Sequence, residues 1–116
     1  MSRRDPAARL RHMLNHAREA VAMVRGKTRA ALDTDRQLNL ALVRLLEIIG
    51  EAASRIPESE RPTNSNIPWA QIVSLRNRLI HGYDAVDFDV LWQILTCDLP
   101  PLVSSLERLI SPPPAH

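Results

Sequence analysis

The 116 residues are 45% apolar and 24% charged with a formal charge of +2, which describes one soluble globular domain and excludes a disordered or collagen-like chain. No apolar run approaches the roughly 20 residues of a membrane span, and no basic–apolar–small leader opens the chain. The single cysteine, Cys97, can close neither an internal disulfide nor a zinc knuckle, so a cytoplasmic protein is expected.

A helical period runs through nearly the whole sequence. Asp5-Pro6 reads as an N-cap followed by a first-turn proline, and Leu10, Met13, Leu14, Ala17, Val21 and Val24 form one apolar stripe ending before Gly26. A second helix is expected from Asp33 or Asp35 to Ile56, where Pro57 stops it. Its core face is Leu38, Ala41, Leu42, Leu45, Ile48, Ile49 and Ala52, but Leu40, Val43, Leu46 and Gly50 lie outside that stripe. Apolar residues on two sides of a helix suggest a partner for the second side, and a homodimer is expected on that ground. The plainer alternative is that this helix is the most central one. Residues 57–67 read as a polar, proline-rich loop. A third helix is expected from Pro68-Trp69 to His81-Gly82, and a fourth after Asp87. Pro100-Pro101 should break that last helix, with Asp98 capping the continuation to Ile110. The expectation is a single all-α domain over 1–116, an antiparallel four-helix bundle with its core at about 7–110 and residues 111–116 a frayed tail.

The charge is unevenly placed. Residues 1–31 hold eight basic side chains against Asp5 and Glu19, whereas the remainder holds seven against eleven acidic ones. Such an arm attracts polyanions, and Arg9 and Arg11 are candidates for tracking RNA, although a merely solvated helix face would read the same. The four aromatics, Trp69, Tyr83, Phe88 and Trp92, all fall in one 24-residue window, which leaves most of the chain without a base-stacking platform. His12 and His16 have metal-face spacing but sit opposite the apolar stripe, with no carboxylate at a matching position; no metal is expected there. Glu51 and Arg55 suit a surface ion pair.

The remaining chemistry lies in Leu75-Arg76-Asn77-Arg78-Leu79-Ile80-His81-Gly82-Tyr83. Arg76 falls beside the apolar stripe, where a guanidinium needs a counter-charge or a function. Asn77 and His81 are i, i+4 neighbours, whereas Arg76 and His81 stand about 140° apart on an ideal helix. Unwinding at Gly82, or a second copy across a dimer axis, would bring them together. Without a metal, this set suits phosphodiester cleavage. Histidine exchanges a proton with a ribose hydroxyl or the leaving oxygen, and arginine holds the phosphate. Asn77 would orient one of them, and Tyr83 supplies the chain's only phenol. The structural alternative pairs Arg76 with Asp84 or Asp87 and leaves His81 capping the helix.

Arg76-Asn77-x-x-x-His81-x-Tyr83 resembles the Arg-x4-His-x-Tyr signature of HEPN-domain ribonucleases, in particular the HepT-like (DUF86) toxins. Glu47-Ile48-Ile49-Gly50-Glu51-Ala52-Ala53, Ile67-Pro68-Trp69, and Val86-Asp87 through Trp92 to Asp98-Leu99-Pro100 are similar to that family as well. The resemblance implies a HEPN-type bundle whose dimer brings two motifs to one cleft. It also implies metal-independent, cofactor-free endoribonuclease activity through 2′-hydroxyl attack, with Arg76 and His81 catalytic and Asn77 and Tyr83 in support. It further implies a type VII-like toxin–antitoxin pair, in which a minimal nucleotidyltransferase antitoxin silences the toxin by AMPylation of Tyr83. Some members of the wider family only bind, so a non-catalytic helical module partnering a nucleotidyltransferase is the alternative.

Overall fold

The computed structural model describes residues 6–62, 66–80 and 85–110. The expected cap Asp5, the motif residues His81, Gly82 and Tyr83, the neighbouring Asp84, and the tail 111–116 lie outside the described residues. Within them the chain is an all-α bundle, and no helix is long and apolar enough to cross a membrane.

Helix α1 spans Pro6–Val24 among the described residues. Gly26, at φ 77°, then turns the chain through the left-handed region that only glycine enters cheaply. A short helix the sequence pattern did not reveal comes next, α2, at Ala31–Thr34. Asp35 caps α3 (Arg36–Ser54), its carboxylate accepting the Leu38 N–H at 3.0 Å. The buried Asn39 side chain donates to the Leu32 carbonyl at 2.9 Å and holds α2 against α3. Arg29, just before α2, reaches Asp89 at 2.8 Å and Asp33 at 3.1 Å, tying this corner to the far end of the chain.

The expected third helix is two helices, α4 (Trp69–Val73) and α5 (Leu75–Leu79), interrupted at Ser74. The Ser74 hydroxyl donates back to the Ala70 carbonyl at 2.8 Å, a local bond that competes with the helical ladder. The segment ends earlier than its pattern suggests. Ile80 is extended and bridges Val86, and the Leu79 carbonyl accepts the Asp87 N–H at 2.9 Å. Those backbone groups bond sideways to the returning chain, so α-helical geometry stops two residues short of His81.

Helix α6 covers Phe88–Gln93, capped as expected by Asp87, which accepts from Asp89 and Val90 at 2.9 and 3.1 Å. The expected break at Pro100 and Pro101 takes the form of a π-helical interruption just before them. A π-helical turn at Ile94–Asp98 feeds directly into α7 (Leu99–Ile110), which contains both prolines. Prolines at 100 and 101 have no N–H for the carbonyls four residues back and would clash with them. The wider turn, closed by Leu99 N–H to the Ile94 carbonyl, places them in a new first turn where no N–H is needed. Asp98 is consequently not a cap; its carboxylate takes Arg78 at 2.9 Å.

The core joins one face of α1 (Met13, Leu14, Ala17) to α3 (Leu42, Leu46, Ile49), the motif segment (Ile72, Leu75, Leu79) and the last helices (Leu91, Ile94, Leu95, Leu102, Leu106). α7 runs antiparallel to α1: Arg18 meets Glu107 at 2.7 Å, and Arg25 shares a hollow with Pro100. The second apolar side of α3 is used inside the protomer. Leu46 and Gly50 are buried and Val43 packs on the core, which leaves Leu40 the exposed large apolar residue, at 52%. The central-helix reading therefore accounts for that pattern, and the two-sided helix no longer argues for a dimer.

Candidate functional site

The site begins where α3 and the motif segment touch. A Cβ on Gly50 would lie 3.1 Å from the Ile72 carbonyl oxygen and 3.7 Å from Leu75 Cβ, so only glycine lets the two backbones approach this closely. The contact falls at the Ser74 interruption and sets α5 beside the polar edge of α3. Arg76 emerges from α5 with its side chain 69% exposed and its Nε 3.5 Å from Glu47 Oε2. Arg44, one turn before on α3, approaches the same carboxylate at 3.6 Å. Helical phase puts Arg76 beside the apolar stripe; its side chain is instead exposed, because the break at Ser74 shifts that phase between Ile72 and Arg76. Its carboxylate partner is Glu47, on another helix, rather than Asp87 close by in the chain; Asp84 lies outside the described residues.

Asn77 is exposed and shares a small hollow of 180 Å³ with Arg76, Glu47, Gly50 and Ser54. The helix that carries it ends at Leu79 and Ile80 is extended; the expected i, i+4 partner, His81, lies outside the described residues. His81 and Tyr83 lie outside the described residues; Ile80 and Val86, which flank that segment, are paired.

Arg76 stands at the rim of a larger groove of 890 Å³ between α1 and α3. Its walls are Arg9, His12 and His16 from α1, Arg44, Glu47, Ile48, Glu51 and Ala52 from α3, and Arg55 capping the end of α3. The histidines are half-buried in this wall, not turned away from the bundle as their helical phase suggested. Their rings meet edge to face at 4.4 Å between centroids. His16 Nδ1 is 2.8 Å from the His12 carbonyl oxygen, and a carbonyl only accepts, so Nδ1 carries the hydrogen. Nε2 is thereby the nitrogen left to act as acceptor in the neutral ring. Arg55 holds Glu51 at 2.8 Å, as the spacing implied. Arg9 lines the groove, whereas Arg11 is exposed and about 200° further around the helix. The i, i+3, i+7 spacing of Arg9, His12 and His16 was the available signal for this wall.

On the opposite side of α5, Arg78 pairs with Asp98 at 2.9 Å, both side chains about 30% exposed, and its buried Nη1 has no hydrogen-bond partner among the described residues. Among the described residues the aromatics do not form a stack. Trp69, Phe88 and Trp92 pack against the core, and Arg61 covers the Trp69 ring at 5.5 Å.

A family model described as "HepT-like: Ribonuclease HepT-like" matches residues 13–109. The chain is 35% identical over 107 residues to "Putative RNase MJ1380" of Methanocaldococcus jannaschii, covering 92% of this chain and 98% of that protein. It is 31% identical over 107 residues to "Putative RNase TTE0752" of Caldanaerobacter subterraneus subsp. tengcongensis, covering 92% and 96%. Over 75 residues it is 40% identical to "Probable ribonuclease HepT" of Thermococcus cleftensis, covering 65% and 68%. No solved structure matches the chain significantly.

Proposed function

The chain belongs to the HepT-like ribonuclease family, and from that premise we propose that it is an RNA-cleaving toxin of a type VII-like toxin–antitoxin pair. The observation that carries this reading is Arg76: a guanidinium 69% exposed at the rim of an arginine-lined groove, five residues before the motif histidine. In the proposed reaction the ribose 2′-oxygen attacks the adjacent phosphorus and the bond to the 5′-oxygen breaks. The products are a cyclic phosphate and a 5′-hydroxyl, and no metal is required. His81 exchanges the proton as general base and acid. Arg76 holds the phosphate and stabilises its added negative charge; to do so it must leave Glu47, and a contact of 3.5 Å on an exposed side chain is easily exchanged for a phosphate. Asn77, beside Arg76, positions the phosphate or the imidazole.

A homodimer would set two motifs about one cleft. Tyr83 is the proposed site of AMPylation: a nucleotidyltransferase antitoxin would transfer AMP from ATP to the phenolic oxygen with release of pyrophosphate. A phosphate and nucleoside fixed there compete with RNA for Arg76. The protein would act in the cytoplasm. The test is to incubate the purified protein with end-labelled RNA in EDTA and identify the product termini. Cyclic-phosphate ends that vanish in His81→Ala are expected. Intact RNA with wild-type protein would leave the binding-module reading in its place. After co-expression with the antitoxin, intact-mass measurement should show AMP-sized increments that Tyr83→Phe removes.

A further inference from the structure

The groove between α1 and α3 contains more chemistry than cleavage at Arg76 requires. Four arginines, Arg9, Arg44, Arg55 and Arg76, line it against two carboxylates, Glu47 and Glu51, so it keeps a net positive charge with both histidines neutral. The carboxylates are already engaged: Glu47 lies between Arg44 and Arg76, and Arg55 holds Glu51. Arg9 makes no ion pair among the described residues. A half-buried imidazole, His16, has its Nδ1–H committed to a backbone carbonyl and so keeps Nε2 for a ligand. From Arg44 to Arg55 the α3 wall runs roughly 16 Å, enough to follow a stacked strand at about 3.4 Å per step for several nucleotides. Among the described residues no Trp, Tyr or Phe lines it, so charge and hydrogen bonds dominate what it offers.

We propose that this groove seats the phosphodiester backbone of single-stranded RNA next to the scissile phosphate, with Arg9 and His16 Nε2 as the contacts beyond Arg76. The inference rests on the ribonuclease reading for the identity of the polyanion and extends it to how the strand is held. Arg9 forks onto a phosphate; His16 Nε2 accepts from a ribose 2′-hydroxyl when neutral, or donates to phosphate when protonated. Contacts made to the backbone rather than to base edges make binding tolerant of sequence and strongly dependent on salt.

The test uses His81→Ala protein, so that the RNA stays intact, and measures fluorescence anisotropy of a labelled single-stranded RNA across a salt series. Arg9→Glu is expected to weaken binding about tenfold or more and to flatten the salt slope by about one unit. His16→Gln should weaken it less, by about threefold, without changing that slope at pH 8. Arg11→Glu makes the same charge change on the same helix outside the groove, and its loss should be well below that of Arg9→Glu. Equal losses for Arg9→Glu and Arg11→Glu would mean diffuse attraction and would overturn the groove. Displacement of the RNA by an equimolar acidic peptide of matched charge would overturn it too, in favour of a protein ligand. Cleavage by wild-type protein is assayed separately: no cleavage with the Arg9 effect intact refutes the ribonuclease reading alone, while cleavage with no Arg9 effect refutes the groove alone.

Discussion

Arg76 and Arg78 stand two residues apart on α5, and the structure treats them oppositely. Towards α3, Arg76 is 69% exposed and 3.5 Å from a carboxylate shared with Arg44. Towards the π-turn, Arg78 is 30% exposed, 2.9 Å from Asp98, and keeps a buried nitrogen without a partner among the described residues. A long exposed contact is weak and easily exchanged, whereas a short, half-buried, charge-assisted hydrogen bond resists exchange. One face of this five-residue helix is therefore available to a ligand and the other is an anchor. Residue type did not decide the difference; the neighbours did.

The largest expected effect lies on the available face. Arg76→Ala should lower RNA cleavage by about two to three orders of magnitude, while its urea midpoint stays within that of a surface substitution, about 0.5 kcal/mol. If cleavage falls only in step with stability, the contrast between the two faces fails. Gly50→Ala attacks the contact that sets α5 beside α3. Its new methyl meets backbone at 3.1 Å, and overpacking of this kind costs about 1–3 kcal/mol. Thermal denaturation should show that loss together with reduced cleavage; an unchanged melting temperature would mean that the two backbones separate freely. Arg78→Ala and Asp98→Ala should each cost about 1–2 kcal/mol by denaturant unfolding, and a double-mutant cycle should show clear coupling. Additive losses would remove the anchor from the comparison. The smallest effect belongs to Leu40→Glu, within about 0.5 kcal/mol. Sedimentation should leave the association state unchanged, because the other apolar residues on that side of α3 are already used in the protomer; dissociation to a lighter species would restore that face as an interface.

Much of the fold was legible because helices announce themselves locally. The glycine turn at Gly26 and the Asp35 and Asp87 caps each depend on residues within a few positions of one another. The failures share one cause. Ser74 continues a helical pattern, yet the chain breaks there against Gly50, some two dozen residues earlier in sequence. Pro100 and Pro101 read as a break, but its form, a π-turn upstream of them, was not legible. Leu46 and Gly50 read as surplus apolar surface, yet both are buried within the protomer, Gly50 against the motif segment.

By itself the sequence determined an all-α chain, its main helical segments and the Arg76-to-Tyr83 motif, because period, caps and motif spacing are short-range properties. Which arginine is exposed, which carboxylate it meets, and that Arg9 and His16 share a groove with it were decided only in three dimensions. Those relations join α1, α3 and α5 across dozens of residues, and helical phase predicts neighbours along one helix but not between helices whose axes shift at a serine or a π-turn.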